Sequence, residues 1–345
     1  MKIAIRADAS PGIGTGHFMR CLALTQGLKD NGDEVVFITH CEGTGFLERI
    51  EKEKIRTYII DNPDDENETG IILEKENADW VVLDGYHFGP VYQKKVKENG
   101  HKLLVIDDHA VHGYYFADVI LNQNYGAEGF HYNAGPDTKF LLGTGYALLR
   151  REFLRHADYR KEISDTANKI LVTMGGSDIG NHTFKAVQAI NLISSPLEVK
   201  VVIGGSNPHY ETILKETGKG IHRFDILRSV ENMAPLMIWA DIALSAGGST
   251  CWEMAFMGLP ALLCIVADNQ ENMVKTLDRD GIFKSLGWID KIDKKEISAA
   301  LLLTIHDKIK RSEVNRKSRT IVDGFGVKRL RDELNVFDYT SQSKL

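Results

Sequence analysis

The feature that most constrains the chain is a repeated alternation of short, continuous apolar runs with amphipathic segments. Lys2–Arg6, Val35–Ile38, Arg56–Ile60, Trp80–Leu83, Lys102–Ile106 and Val119–Asn122 read as strands. Segments of helical spacing separate most of them, starting with Phe18, Cys21, Leu22 and Leu28. Strands that are apolar on both faces belong to parallel sheets covered by helices on both sides. The pattern stops in the charged stretch Leu148–Asp165 and then restarts. Ile170–Met174, Val199–Ile203, His222–Ile226, Ile242–Leu244 and Ala261–Val266 form the second series, and one last helix is predicted over Arg311–Leu334. A chain of 345 residues is long enough for two domains. The expectation is two doubly wound α/β domains facing a cleft, residues 1–150 and 167–335, joined by a linker helix over 151–166 and followed by a frayed tail, 336–345.

In such sheets ligands bind beyond the strand C-terminal ends. Asp8, Asp84, Asp107 and Asn122 occupy those ends in the first series. In the second, Gly175-Gly176-Ser177-Asp178 and Gly247-Gly248-Ser249-Thr250 each follow a strand and precede a predicted helix. Helix N-termini of this kind receive anions through backbone N–H groups and the helix dipole. The two turns are therefore candidate phosphate sites.

Charge and cysteine usage exclude other classes. With 42 basic and 48 acidic residues the net charge is −6, so no global basic field would gather a nucleic acid. The basic run from Lys308 to Arg319 spreads around its predicted helix and reads as a solvated face. Cys21, Cys41, Cys251 and Cys264 form no CxxC pair, and the reading is four reduced, packed thiols. The apolar start is too short for a leader, and no run reaches the ~18 residues of a membrane span. The expectation is a cytoplasmic enzyme without stable membrane insertion.

Gly12-Ile13-Gly14-Thr15-Gly16 invites a dinucleotide reading, which fails on two counts. His17 follows where the motif continues, and the second strand ends Ile38-Thr39-His40 without the carboxylate that would hold a ribose. The loop instead places His17 at a helix N-terminus. The helix dipole disfavours imidazolium there, so a neutral ring can serve as a general base.

Several motifs, taken together, carry a resemblance. They are Arg6-Ala7-Asp8-Ala9-Ser10, Ile13-Gly14-Thr15-Gly16-His17 with Arg20, Asp84-Gly85-Tyr86, Ile106-Asp107-Asp108, Leu121-Asn122-Gln123-Asn124 and Gly145–Arg150. In the second half they continue with Met174–Asp178, Ser245–Ser249 with Glu253, and Asn269-Gln270. In this order they resemble the UDP-2,4-diacetamido-2,4,6-trideoxy-β-L-altropyranose hydrolases of pseudaminic acid synthesis, which are similar to spore coat polysaccharide biosynthesis proteins. Gly85 departs from the pattern, since some relatives have a bulkier residue there.

The resemblance implies the GT-B fold of two Rossmann-like domains, shared with the N-acetylglucosaminyltransferase that makes lipid II. It implies a UDP-sugar substrate, no cofactor, and His17 as catalytic base. Asp8 is expected to orient the His17 ring. Gly14, Gly16, Arg20, Tyr86, Asp107, Asn122 and Asn124 are expected around the sugar. Gly175, Gly176, Ser177, Gly247, Gly248, Ser249, Thr250, Glu253, Asn269 and Gln270 are expected around UDP, with Glu253 on the ribose. No metal is expected. Asp107-Asp108 with His109 and His112 is the nearest candidate, but adjacent side chains on an extended segment diverge. A glycosyltransferase using the same donor, and a sugar-nucleotide-binding partner in a polysaccharide assembly, remain open beside the hydrolase, as does association with other sugar-biosynthesis enzymes.

Overall fold

A computed structural model describes residues 1–9, 16–41, 44–62, 66–205 and 207–342. They fall into two compact units, Met1–Arg151 with Gly324–Leu345, and Glu152–Asp323. The first unit runs β1 (Lys2–Ala7), α1 (Gly16–Asp30), β2 (Glu34–Thr39), α2 (Thr44–Lys52), β3 (Arg56–Ile59), α3 (Glu66–Glu76), β4 (Trp80–Asp84), α4 (Pro90–Glu98), β5 (Lys102–Ile106), β6 (Val119–Asn122) and β7 (Lys139–Leu142). All neighbours in its seven-stranded sheet are parallel, in the order β3-β2-β1-β4-β5-β6-β7. Ile3, Ile5 and Ala7 of β1 face one apolar layer with Phe18 and Leu24 of α1, whereas Ala4 faces the other with Leu73, Phe88 and Tyr92. Both faces of the sheet are thus covered, which is why its strands read as unbroken apolar runs.

The second unit begins within α5 (Arg151–Leu154). It continues β8 (Lys169–Thr173), α6 (His182–Ile190), β9 (Glu198–Ile203), α7 (Tyr210–Thr217), β10 (Arg223–Arg228), α8 (Ala234–Trp239), β11 (Ile242–Ala246), α9 (Thr250–Met257), β12 (Ala261–Ile265), α10 (Asp268–Arg279), β13 (Lys284–Trp288), α11 (Lys294–His306) and α12 (Lys308–Ile321). Its six parallel strands follow the order β10-β9-β8-β11-β12-β13. Strand order reverses between β1 and β4 in the first unit and between β8 and β11 in the second. Those are the topological switch points, where the loops leaving adjacent strands part and open a crevice.

Four expectations need correction. The linker helix over 151–166 is helical only from Arg151 to Leu154. The single helix over Arg311–Leu334 is two, α12 and α13 (Gly326–Gln342), because the chain turns through Gly324 at φ 86°. The second domain also ends before residue 335, since α13 belongs to the first unit. Val327, Leu330 and Leu334 are buried there with Phe18, Leu24 and Trp80. The segment 336–342 is helical rather than frayed, and Phe337 packs edge-on against Trp80 with ring centroids 5.5 Å apart. Arg331 donates to Asp33 at 2.5 Å, and Lys139 pairs with Glu333.

The basic run of α12 is only partly a solvated face. Arg311 is buried and donates to the carbonyls of Ser164 and Asp165 at 3.0 Å and of Ile305 at 3.2 Å. Lys317 and Arg319 donate to the carbonyls of Asp280 and Tyr159. Cys21, Cys251 and Cys264 are buried free thiols, and Cys41 is half-buried. No helix among the described residues is long and apolar enough to cross a membrane.

Because Leu334 is fully buried against the first sheet, Leu334→Ala is expected to cost about 2–5 kcal/mol. Urea unfolding would show this as a lower midpoint for the transition of the first unit.

Candidate active site

The first switch point is built from charged side chains. Asp84 ends β4, in register with Ala7 of β1, and is fully buried. His17 and Arg20 lie one turn apart on α1, so both reach it. His17 Nδ1 is 2.6 Å from Asp84 Oδ1. Arg20 donates from Nε to Asp84 Oδ2 and from Nη2 to Oδ1, both at 2.6 Å, a bidentate pair. Its remaining Nη1 donates to Asp108 Oδ1 at 2.7 Å. Arg20 Nη2 also approaches His17 Nδ1 at 3.1 Å. The shorter contact, to an ionised carboxylate, sets the tautomer of the neutral ring: Nδ1–H donates to Asp84, which leaves the lone pair on Nε2.

Asp108 binds this cluster to further expected residues. It accepts from the Tyr86 hydroxyl at 2.8 Å and from Asn124 Nδ2 at 2.9 Å. The Tyr86 ring meets the His17 ring edge-on at 4.7 Å between centroids. Cys21 donates its S–H to Asp84 Oδ2 at 3.3 Å, and burial pushes its thiol well up, so it stays a neutral donor.

Asp8 does not pair with His17, as had been expected. Residues alternate faces along a strand, and Asp8 lies one position beyond Ala7, so its side chain leaves on the other side of the sheet crest from Asp84. There it accepts from Arg6, from the His40 backbone N–H at 2.6 Å and from His87 Nε2 at 2.9 Å. The partner that orients His17 is Asp84.

Asp107 accepts from the backbone N–H groups of His109 and Ala110 and from the hydroxyls of Tyr115 and Tyr132. It diverges from Asp108, as alternation requires. Asn122 is buried, donates to Tyr132 and accepts from the Asn124 N–H, so it braces the turn after β6. Gly16 is the first residue of α1, and Gly14 lies outside the described residues.

In the second unit both glycine turns leave the switch-point strands β8 and β11, but they differ. Gly175 adopts φ 96°, a conformation that favours glycine, and the chain runs through Gly176 and Ser177 before α6 begins at His182. Asp178 accepts from the N–H groups of His182 and Thr183 at 2.8 and 2.9 Å. Those two N–H groups of the helix end are therefore already taken by a carboxylate. By contrast, α9 starts directly after Gly247-Gly248-Ser249, and its N-cap Ser249 makes no side-chain capping hydrogen bond. Thr250 and half-buried Glu253 lie on its first turn. Gly247 donates to the Cys264 carbonyl at 3.0 Å, tying this turn to β12. Gln270 Oε1 accepts from Val266 N–H at 3.0 Å and braces the next turn, with Asn269 exposed beside it.

The roles not anticipated are those of Asp84 as the histidine's partner and of Asp108 as the second carboxylate on Arg20, and His87 was not singled out at all. Asp84 carried a signal, a carboxylate at the end of a switch-point strand. Nothing local in sequence pairs positions 17 and 84.

Two doubly wound parallel sheets of seven and six strands are the GT-B architecture. The crystal structure of Acinetobacter baumannii MurG superposes with a TM-score of 0.68 at 17% identity, over 97% of this chain and 99% of that one. Residues 169–321 match the glycosyltransferase family 28 C-terminal domain. Among curated proteins, Bacillus subtilis spore coat polysaccharide biosynthesis protein SpsG is 24% identical over 96% of both chains. The Campylobacter jejuni UDP-2,4-diacetamido-2,4,6-trideoxy-β-L-altropyranose hydrolase is 25% identical over 81% of this chain and 97% of its own. An uncharacterized Methanocaldococcus jannaschii protein is 28% identical over 76% of this chain, which spans 55% of that relative's length. The resemblance read from the motifs is thus met in the two named relatives, which match 96% and 81% of this chain.

The acid limit of stability follows from the site. Burial alone would raise the carboxyl groups of Asp84 and Asp108, but the Arg20 charge and its hydrogen bonds hold both below the ordinary 3.8. Asp8 is likewise buried and held low by His87 and Arg6. A folded-state value below the unfolded one means that the unfolded chain takes up protons first as pH falls. The contribution is full above about pH 4–5 and is lost on acidification below it. Urea midpoints measured from pH 7 to pH 3 should fall steeply at the acid end. Asp108→Asn should lower the pH 7 stability by roughly 1–3 kcal/mol and flatten that fall.

Proposed function

We propose that the protein hydrolyses a UDP-linked diacetamido-trideoxyhexose, releasing UDP, in nonulosonic acid or surface polysaccharide synthesis in the cytoplasm. The observation that carries the reading is the 2.6 Å contact between His17 and buried Asp84. It fixes a ring whose Nε2 can take a proton, at the strand ends where open α/β sheets bind ligands. The similarity to a named hydrolase of that substrate class supports the choice of reaction.

His17 Nε2 removes a proton from water as the water oxygen bonds to the anomeric carbon. The bond from that carbon to the β-phosphate oxygen breaks, and its electron pair leaves with UDP. The imidazolium then returns its proton to solvent. Asp84 holds the ring through Nδ1–H and stabilises the imidazolium, as a buried carboxylate does behind a catalytic histidine. The two carboxylates Asp84 and Asp108 surround one guanidinium, leaving a net negative charge beside the ring that becomes positive. One base without a carboxylate nucleophile gives inversion at the anomeric carbon.

The uncapped N-terminus of α9 and the glycine turn before it supply backbone donors for the diphosphate of the leaving group. Glu253 is assigned to the ribose. Tyr86 and Asn124, both tied to Asp108, are assigned to the sugar.

The match to a glycosyltransferase family domain favours a second reading, in which a sugar acceptor replaces water. Acceptor-free incubation with the UDP-sugar separates the two. The expected result is steady UDP release, with the β-anomer configuration inverted in the first-formed sugar when followed by proton NMR. UDP release that begins only on adding an acceptor would establish the transferase instead.

His17→Ala and His17→Asn should lower kcat about 10²–10⁴-fold with little change in KM. Asp84→Asn should keep the fold and lose a comparable factor, since an amide no longer stabilises the imidazolium. Activity should survive excess chelator, because backbone donors rather than a divalent cation are assigned to the diphosphate.

A further inference from the structure

The first switch point carries a second imidazole–carboxylate pair. Asp8 is buried at the end of β1 and needs Arg6 as its counter-charge, since Arg6 is itself fully buried beneath Phe88, with the guanidinium 4.8 Å from that ring. Arg6 and the His40 N–H already satisfy Asp8 as a structural group. His87 is an addition: its Nε2 lies 2.9 Å from Asp8 Oδ2, and its side chain is 23% exposed. Against an ionised carboxylate Nε2 is the N–H donor, and in the neutral ring Nδ1 bears the lone pair. Among the described residues Nδ1 has no hydrogen-bond partner.

Gly85 makes this arrangement possible. A Cβ at position 85 would stand 2.7 Å from His87 Cε1 and 3.1 Å from Nδ1. Any side chain there would push the ring off Asp8. Gly85 joins Asp84 to Tyr86, both of which contact His17, so Nδ1 of His87 lies against the same short turn.

Resting on the hydrolase reading, we propose that His87, oriented by Asp8, is a substrate-binding residue whose Nδ1 accepts a hydrogen bond from an O–H or N–H group of the sugar. A fixed acceptor at one edge of the site selects for a sugar with a donor at the matching carbon, as a few placed polar groups do in ligand sites. It adds to binding rather than to the proton transfer, which His17 performs.

The test uses the full chain with His17→Asn, so that the ligand survives, and calorimetric titration with UDP and with UDP-linked 2,4-diacetamido-2,4,6-trideoxyhexose. His87→Gln keeps an amide donor within reach of Asp8 but has no atom at the Nδ1 position. His87→Asn puts a polar atom near that position but cannot reach Asp8. The expected result is a roughly tenfold weaker affinity of His87→Gln for the UDP-sugar with UDP affinity unchanged, and a smaller loss in His87→Asn. UDP-sugar affinity within twofold of the parent in His87→Gln would overturn the assignment. So would equal losses for UDP and UDP-sugar accompanied by a lower melting temperature, which mark a structural role. A parent chain that binds the UDP-sugar no better than UDP would overturn the proposal at its premise. Absence of UDP release from the wild-type chain bears only on the hydrolase reading, since the affinity ratio needs no turnover.

Discussion

The first unit's chemistry depends on one buried guanidinium. Arg20 spans Asp84 and Asp108 with three short hydrogen bonds, and without it two buried carboxylates would face each other uncompensated. Fixing Asp84 fixes the His17 tautomer, and fixing Asp108 fixes Tyr86 and Asn124. A single side chain on α1 therefore holds together groups from three strand ends, β4, β5 and β6. Such a cluster is costly to bury and is stable only when its donors and acceptors are matched, which gives it a defined geometry before any ligand arrives.

The second unit uses backbone in place of charge. Its switch point is lined by glycine turns, and the helix that follows β11 begins without a side-chain cap. Donors of this kind are held by the sheet and need little reorganisation around an anion. Several of the cations of the α12 run, such as Arg311 and Arg319, are committed to capping carbonyls.

Much of the fold was legible because its strands are buried on both faces. Unbroken apolar runs at β1, β4, β5, β8 and β11 could only be parallel strands. The short edge strand β13, Lys-Ser-Leu-Gly-Trp, is half-exposed and carries no such run, so the pattern passes over it. The return of α13 to the first sheet was not legible either. Its apolar stripe of Val327, Leu330 and Leu334 states that one face is buried, but not against which of two sheets. At the site, His17 and Arg20 could be read from their helix position. The carboxylate that orients the ring could not, because Asp8 and Asp84 end adjacent strands and look alike in sequence.

By itself the sequence determined two parallel α/β sheets, the placement of functional groups at their strand ends, the candidate base and the glycine turns. These follow from local periodicity and from the few residues that suit a strand-to-helix turn. Only the tertiary structure decided which carboxylate serves which histidine. In register, Ala7 lies beside Asp84, and the alternation of side chains sends Asp84 toward α1 and Asp8 away from it. Pairing partners 67 residues apart is set by strand register and facing, which no local spacing encodes.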